Sequence, residues 1–310
     1  MLLDGPGLLA IVTGARKPDY AMLHFKLWAA DLDTVERARG AIVDAFGPRY
    51  IHEPTFTVDW YVQRGPGELV VVAIEELADD VVVEAAYPQF PGGITRFFER
   101  FLDAPEPILV LQGPPGTGKT RLIRHMIGTL AARSDGHTHV MYTSDPHAME
   151  SDELFTKFLT TQADMFVIED ADYLLRPRSD GNLSIHRFLA VGDGIARAQG
   201  RKMIFSTNLP NVVDIDEALL RPGRCFAHVP LRLLTPAEAG KLLDSLAGAD
   251  VKRAVQAGAW LTARTKRTYS VADVYRAWRD CEEEAGDPEA IEPMSSDERQ
   301  VGGAYSLALT

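Results

Sequence analysis

A glycine-rich stretch of eight residues constrains the fold of this chain more than any other feature. Residues 113–120 read GPPGTGKT, which fits G-x-x-x-x-G-K-[ST], and they lie between the apolar run PILVLQG and the helical pattern KTRLIRHMIGTLAAR. In that context, loop N–H groups surround a β-phosphate while the helix N-terminus adds positive potential. Lys119 then reaches the β- and γ-phosphates, and the Thr120 hydroxyl can ligate Mg²⁺. We therefore predict a nucleotide-binding strand–loop–helix unit rather than an ordinary glycine-rich turn.

A second apolar run, MFVIED, ends in two adjacent acids, Glu169 and Asp170. We expect its strand to lie beside the strand that precedes the phosphate loop, so that the acids come near the metal and the γ-phosphate. From strand register, Glu169 takes the metal side through a water, and Asp170 accepts a proton from the attacking water. The alternative is a pair of solvated surface acids.

Two later segments add polar groups suited to the same chemistry. The run KMIFSTN ends in Asn208, whose amide can hydrogen-bond the γ-phosphate or orient the water; a turn residue is the alternative. In IDEALLRPGRC, Arg221 and Arg224 stand on either side of a Pro-Gly turn. Arginines held in this way suit bidentate contact with phosphate, and one supplied by a neighbouring subunit can stabilise transition-state charge.

Two further clusters of charged or metal-binding residue types could be functional, but each also has a simpler interpretation as a surface loop. His137-Thr138-His139 has no Cys or acidic ligand following at zinc spacing, so a surface loop is favoured over a metal site. Arg176-Pro177-Arg178 could face a pore or a neighbouring subunit, and a solvated loop is equally consistent with its composition.

The order of patterns along the chain predicts four regions. Residues 1–88 read as a small α+β unit, with a strand at 22–30, a helix at 31–46 and three later strands in FTVDWYVQ, ELVVVAIEEL and VVVEAAY. Residues 89–232 alternate helices with buried strands, which predicts a parallel sheet with helices on both faces. Residues 233–284 read as a helical lid, and residues 285–310 as a flexible acidic tail.

Composition limits the classes of partner. The formal net charge is −12 and the pI is near 5.1, which argues against a nucleic-acid or anionic-membrane partner. Two cysteines cannot build a disulfide framework, so a reducing, cytoplasmic setting is expected. The longest apolar strand-like run, LVVVAI, is far shorter than the ~20 residues of a membrane span.

Taken together, GPPGTGKT, FVIEDAD, FSTN and DEALLRPGRC resemble the AAA+ ATPases in order and spacing, and more narrowly the AAA clade, over roughly residues 92–284. Within it the chain looks like the Bcs1-like ATPases, whose Walker B motif also reads Glu-Asp. The resemblance implies a P-loop NTPase fold that binds ATP and Mg²⁺. The Walker A residues are then Gly113, Pro114, Pro115, Gly116, Thr117, Gly118, Lys119 and Thr120. By the same resemblance Glu169 and Asp170 form Walker B, Asn208 is sensor 1, and Arg221 and Arg224 are arginine fingers acting in trans.

The resemblance also implies a mode of action. Such proteins form homo-oligomeric rings, commonly of six subunits and of seven in Bcs1, that use ATP hydrolysis to move a macromolecule. Ala272, in TYSVADV, is expected to line the adenine pocket, and residues 1–88 to bind a protein partner. Three features depart from the pattern: a transmembrane helix ahead of the ATPase core, an aromatic pore loop between Ser144 and Asp152, and a lid sensor arginine are not evident.

Three functions are therefore compared. The main prediction is a Mg²⁺-dependent ATPase ring that remodels or translocates a protein. The second is a nucleotide-gated scaffold or regulator with slow turnover, because Asp170 is one methylene shorter than the usual Glu and so a poorer base. The third is an ATPase that acts on nucleic acid, which the acidic balance argues against.

Overall fold

The structure is a computed structural model, and the chain divides into two compact units, residues 1–53 and residues 54–310. The structure describes residues 1–16, 21–46, 55–65, 68–77, 82–134, 137–161, 163–182, 184–192, 201–248, 250–263 and 267–283. The predicted tail at 285–310 lies outside these residues, so its flexibility stays a prediction.

The first unit holds a three-stranded antiparallel sheet and one helix. The strands are β1 (Leu2–Gly5), β2 (Leu8–Arg16) and β3 (Ala21–Ala29), in the order β1-β2-β3, followed by helix α1 (Leu32–Phe46). The backbone N–H of Thr34 donates to the Asp31 carboxylate at 2.8 Å, which caps the first turn of α1. The predicted strand at 22–30 and helix at 31–46 match β3 and α1, whereas sequence reasoning missed β1 and β2.

The second unit is built on a seven-stranded mixed sheet. Its strand order is β10-β6-β9-β8-β7-β4-β5, and every neighbouring pair is parallel except β4 and β5. The strands are β4 (Thr55–Gln63), β5 (Leu69–Leu77), β6 (Ile108–Gln112), β7 (His137–Thr143), β8 (Met165–Ile168), β9 (Lys202–Thr207) and β10 (Cys225–Pro230). The predicted fold class is thus confirmed, with an antiparallel strand at one edge.

The structure differs from the predicted boundary at residue 88. Strand β4 pairs in parallel with β7, from Thr55 opposite His137 to Trp60 opposite Tyr142, so β4 and β5 extend the sheet that was predicted to begin after residue 88. The last of the three strands predicted before residue 88 is instead a 3₁₀ helix, Glu84–Ala86. Local alternation identifies a strand, but it carries no information about which distant strand is its partner.

One expectation about strand order is wrong. The strand that carries Glu169 and Asp170, β8, does not lie beside the phosphate-loop strand β6, because β9 pairs with both of them. The acids still approach the phosphate loop, since all these parallel strands end at the same edge of the sheet.

Helices cover both faces of this sheet. Before the lid they are α2 (Ile94–Asp103), α3 (Lys119–Arg133), α4 (Pro146–Met149), α5 (Asp152–Thr160) and α6 (Ile185–Gly192). Successive β6 side chains alternate between two buried clusters: Leu109 and Leu111 pack with Phe98 and Met126, whereas Ile108 and Val110 belong to the opposite cluster. Burial on both faces explains why β6 is apolar at nearly every position.

The lid follows the sheet as three helices, α7 (Pro236–Ala247), α8 (Val251–Ala263) and α9 (Val271–Glu283). Helix α7 begins with a reciprocal capping box between Thr235 and Glu238. Leu234 and Tyr269 exchange backbone hydrogen bonds of 2.7 and 2.9 Å, which joins the entry of the lid to the turn before α9. Among the described residues, none of the helices is both long and apolar enough to cross a bilayer. The cytoplasmic location stays a prediction.

Candidate nucleotide-binding site

The loop Gly113–Thr120 connects β6 directly to α3, as predicted. Gly113 lies against the backbone of Leu231, where a Cβ atom would clash with the carbonyl oxygen. Gly118 has φ +87° and packs against the hydroxyl of Tyr87, which donates to the Gly118 carbonyl at 3.1 Å. Both positions therefore require glycine, for close backbone approach at Gly113 and for the left-handed conformation as well at Gly118.

Lys119 is held at the centre of the loop. Its Nζ donates to the carbonyl oxygen of Gly113 at 2.7 Å and to Oδ1 of Asn208 at 2.7 Å. Burial lowers the pKa of Lys119, and the negative charges of Asp170, Asp172 and Glu169 oppose that shift. The three carboxylates thus favour the ammonium form, which is the form that binds phosphate oxygens.

Glu169 is the buried acid of the pair, with 6% of its surface exposed. Its Oε1 accepts from the Thr120 hydroxyl at 2.7 Å, and its Oε2 accepts from the Tyr142 hydroxyl at 2.9 Å. Both carboxylate oxygens are therefore oriented, one toward the phosphate loop and one toward β7. Burial, with the Glu169 charge as a second cause, raises the pKa of Tyr142, so its hydroxyl keeps the proton that it donates.

Asp170 faces a different set of groups. It is exposed, and its Oδ1 accepts from Nδ2 of Asn208 at 2.9 Å. Its φ of +50° makes it the single non-glycine residue with positive φ in the described part of the chain. Left-handed backbone is unfavourable for a residue with a side chain, so surrounding contacts must hold it in place. The two acids consequently point to different partners: Glu169 to Thr120, Asp170 to Asn208.

Sequence reasoning missed two residues of this site. Oδ1 of Asp172 accepts from the Thr207 hydroxyl at 2.6 Å and from the Asn208 N–H at 2.7 Å, so Asp172 fixes the end of β9. Tyr142 orients Glu169, as described above. The spacing of FVIEDAD could have suggested Asp172 as a third acid two residues after Asp170, whereas an aromatic residue on a strand is ordinarily assigned to the core.

The two predicted arginine fingers lie at the opposite end of the sheet. Arg224 precedes β10, and its carbonyl oxygen accepts from the Ile108 N–H, at the start of β6, at 3.2 Å. The phosphate loop begins after Gln112, at the other end of β6, roughly 16 Å away at about 3.3 Å per residue. Arg221 forms an ion pair with Glu217 at 3.3 Å, and both side chains are largely exposed.

The segment that leads to these arginines is anchored by a buried carboxylate, Asp216. The main-chain N–H and the Nε of Arg178 both donate to its Oδ2 at 2.9 Å, and the Ala218 N–H donates to its Oδ1 at 2.9 Å. Burial alone would raise the pKa of Asp216, but these donors more than offset it and the pKa is lowered. In the sequence Arg176-Pro177-Arg178, Arg178 thus forms a partly buried contact within the chain.

The lid reaches the phosphate loop at the predicted position. The N–H of Ala272 donates to the Gly116 carbonyl at 3.0 Å, and the loop also packs against Ser270. A reciprocal capping pair between Ser270 and Asp273 starts α9 there. The structure therefore brings Ala272 to the phosphate loop, and its place in an adenine pocket stays a prediction.

Residues 137–139 lie in strand β7, and Thr138 is fully buried, so the surface loop predicted for them is wrong. His139 instead bonds across strands to Asp59, with 2.7 Å between Nε2 and Oδ2.

Comparison with known proteins finds similarity over the central part of the chain. Residues 109–233 match the family described as "ATPase family associated with various cellular activities (AAA)". This segment runs from β6 to the end of β10, and so contains the phosphate loop, both acids, Asn208 and both arginines.

Individual relatives cover the same region. An ATP-dependent zinc metalloprotease FtsH 1 from Symbiobacterium thermophilum is 30% identical over 132 residues, which are 39% of this chain and 22% of that protein. A 26S proteasome regulatory subunit 7 homolog from Schizosaccharomyces pombe is 31% identical over 171 residues, 52% of this chain and 37% of the relative. An "AAA ATPase forming ring-shaped complexes" from Rothia mucilaginosa is 28% identical over 193 residues, 54% of this chain and 30% of the relative. The chain thus spans less than two fifths of the length of each of these relatives.

Proposed function

We propose, on the premise that residues 109–233 belong to the AAA ATPase family, that this chain hydrolyses ATP as part of a homo-oligomeric ring and uses the energy to remodel or translocate a protein partner. One observation carries the proposal. Lys119, Asp170 and Asn208 are joined by direct side-chain hydrogen bonds, and Thr120 bonds to the buried Glu169 beside them. Two motifs and a sensor position that are far apart in sequence therefore form one polar cluster.

The residues present fit a Mg²⁺–nucleotide complex. The Thr120 hydroxyl and the Glu169 carboxylate lie 2.7 Å apart, and oxygen donors of this kind are the ligands that Mg²⁺ prefers. Thr120 would bind the ion directly and Glu169 through a water. Bound there, Mg²⁺ would neutralise charge on the β- and γ-phosphates. Lys119 would exchange its contacts with Gly113 and Asn208 for phosphate oxygens.

The geometry favours a division of labour between the two acids. Glu169 is buried and held by two hydroxyl donors, which suits an orienting role toward the metal. Asp170 is exposed, so water can reach its carboxylate, which suits it to accept a proton from water. In that step the water oxygen bonds to the γ-phosphorus, the bond from the γ-phosphorus to the bridging oxygen breaks, and ADP leaves. Asn208 would position the water or the γ-phosphate.

The position of the arginines supports action between subunits. Arg221 and Arg224 lie at the start of β10, a strand length from the phosphate loop of the same chain. An arginine placed there can complete a site only if it reaches a neighbouring molecule, which a head-to-tail ring provides. The ring-shaped assembly named for the Rothia mucilaginosa relative is consistent with this. Six subunits is our proposal for the ring, with seven as the alternative.

The partner and the finer family assignment are part of the same proposal. Residues 1–53 fold as a separate unit with its own sheet, and we assign partner recognition to the N-terminal region on this ground. The Glu169–Asp170 order supports a Bcs1-like subgroup within the family. A chaperone-like role, in which the ring changes the conformation of its partner, follows from these two assignments.

A nucleotide-gated regulator with slow turnover is the second candidate. The Asp170 carboxylate is shorter than Glu and already accepts a hydrogen bond from Asn208, and both features reduce its capacity as a base. Tight ATP binding with negligible turnover would favour this candidate.

Electron microscopy and ATPase assays on the Asp170→Asn variant test the main proposal. With Mg²⁺ and ATP, we expect the variant to form a stable ring that does not turn over, while the wild-type chain hydrolyses ATP at a rate per subunit that rises with protein concentration. Lys119→Ala, which removes the phosphate contact, is the control that should show neither nucleotide binding nor a nucleotide-dependent ring. A wild-type chain that stays monomeric with ATP and hydrolyses none at any concentration would contradict the proposal.

A further inference from the structure

A contact between the phosphate-loop helix and the lid is not used by the site described above. The guanidinium of Arg121, in the first turn of α3, lies over the ring of Tyr275 in α9, with 4.5 Å from Cζ to the ring centroid. Arg121 directly follows Thr120 in the chain, and Tyr275 lies one helical turn after Ala272. The contact therefore joins the first turn of the phosphate-loop helix to the first turns of the lid helix.

The placement of Arg121 is unusual for its charge. The N-terminus of a helix carries partial positive charge, so a cation in the first turn is disfavoured there. The face of an aromatic ring is negative and attracts a cation, more strongly where the pair is shielded from water. Tyr275 is partly buried, and its hydroxyl is fully shielded and has no hydrogen-bond partner among the described residues. The ring, rather than the hydroxyl, is thus the part of Tyr275 that meets Arg121.

A second contact makes the same connection through the backbone. The Ala272 N–H donates to the Gly116 carbonyl at 3.0 Å, so the lid touches the loop at Gly116 as well as the helix at Arg121. Gly116 has φ +81°, and Ser270 and Ala272 pack so closely against it that a Cβ atom there would lie 3.2 Å from Ser270 and 3.4 Å from Ala272. Movement of the lid would therefore change the loop that receives the phosphates.

We propose that Arg121 and Tyr275 form a core-to-lid clamp that positions the phosphate loop for nucleotide binding, with the arginine supplied by the core rather than by the lid. The inference rests on the proposed function for its link to ATP, whereas the contact between Arg121 and Tyr275 can be measured independently of ATP. Both residues are positioning residues, since they act through Gly116 and the loop rather than on the reacting atoms.

The test is a double-mutant cycle of Arg121→Met and Tyr275→Leu, read by hydrogen–deuterium exchange over residues 267–275 without nucleotide and by the KM for ATP. We expect each single variant to speed exchange of the segment that contains Ala272, and to raise KM by roughly three- to tenfold, the range of a partly shielded cation–π contact. We expect kcat to stay within about twofold. In the double variant, the exchange rate and the KM should change no more than in either single variant, because both substitutions remove the same contact.

Two matched controls separate the clamp from general destabilisation. Tyr275→Phe keeps the ring face and removes only the unpartnered hydroxyl, so it should behave as the wild-type chain. Arg133→Met makes the same change at the far end of α3, where the arginine pairs with the exposed Asp103, and should leave exchange over 267–275 and KM unchanged.

Additive effects in the double variant, or equal effects of Tyr275→Phe and Tyr275→Leu, would overturn the clamp. These outcomes differ from failure of the proposed function. If the wild-type chain neither binds nor hydrolyses ATP, the proposed function fails, while the exchange measurement still decides the clamp.

Discussion

The two ends of the seven-stranded sheet use their polar residues in opposite ways. At the end where the phosphate loop lies, Lys119, Asp170 and Asn208 bond to one another within one chain. At the other end, Arg221 is largely exposed and pairs with Glu217 along its own segment, and the Arg224 guanidinium donates to the Ala218 carbonyl at 2.9 Å. Under the proposed function, the first end holds the nucleotide, and the arginines of the second end serve the site of a neighbouring subunit. The contrast predicts that binding needs one subunit and rapid hydrolysis needs two.

The largest expected effect comes from removing an arginine of the second end. Arg224→Ala should lower kcat for ATP hydrolysis by about 10³ to 10⁵, the range for an arginine finger, while the Kd for ATP changes less than threefold. Steady-state hydrolysis and equilibrium ATP binding measure the two quantities. Arg279→Ala, at an exposed arginine of the lid helix, is the control that should leave both unchanged. Parallel loss of binding and turnover in Arg224→Ala would break the contrast between the two ends.

The second prediction compares the two acids at the first end of the sheet, Glu169 and Asp170. Asp170→Asn should lower kcat by about 10² to 10⁴ with ATP binding retained, because it removes the group that accepts the proton. Glu169→Gln should weaken Mg²⁺-dependent ATP binding as well, since the Thr120 contact involves this carboxylate. Titration of each variant with ATP at fixed Mg²⁺ shows which variant keeps ATP binding and which loses it. Equal loss of binding in both variants would show that the two roles are shared or exchanged.

A smaller effect is expected from Tyr142, which orients the second oxygen of Glu169. Tyr142→Phe removes one donor to a buried carboxylate, a bond worth about 1.5 to 3 kcal/mol, and should raise the Mg²⁺ concentration for half-maximal hydrolysis by about tenfold. Tyr173→Phe changes an exposed tyrosine that follows β8 and serves as the matched control. An unchanged Mg²⁺ requirement in Tyr142→Phe would mean that Thr120 alone orients Glu169.

The smallest effect concerns a residue that belongs to neither end. Two hydrogen bonds lower the pKa of Glu238 from 4.5 to about 2: the larger effect comes from Arg232 and the smaller from the Thr235 N–H. Its carboxylate therefore stabilises the fold above pH 4.5, and this contribution is lost as the pH falls from 4.5 toward 2. Glu238→Gln keeps an acceptor for the Thr235 N–H but loses the ion pair with Arg232, so it should cost about 0.5 to 1 kcal/mol of unfolding free energy at pH 7, and less below pH 4.5. Denaturant unfolding at several pH values measures this; a cost that is the same at every pH would contradict the assignment.

The parts of the fold that sequence could predict are those set by local chemistry. The loop GPPGTGKT, the buried run ILVLQ and the helix that begins at Lys119 follow from glycine, apolar and helical patterns within about 25 residues, and the structure places them as expected. Which strands become neighbours depends on contacts between distant segments. For this reason the place of β9 between β6 and β8, and the addition of β4 and β5 to the sheet, were not predictable from local pattern.

The residues of the site also divide into those that local sequence predicts and those that depend on contacts between distant segments. Glu169, Asp170 and Asn208 could be assigned because each ends a buried strand, and parallel strands end at a common edge. Tyr142 lies within a strand rather than at its end, and its hydrogen bond to Glu169 depends on the pairing of β7 with β8. The contact between Arg121 and Tyr275 joins positions about 150 residues apart, so no local sequence pattern predicts it.

Mixing two inactive variants tests most directly whether the two ends act together across subunits. Asp170→Asn keeps its arginines and Arg224→Ala keeps its water-polarising acid, so a mixed ring contains interfaces at which both groups are intact. We predict that equimolar mixtures hydrolyse ATP well above either variant alone, with a maximum near equal proportions. Mixtures that stay as inactive as the separate variants, although electron microscopy shows mixed rings, would contradict the account.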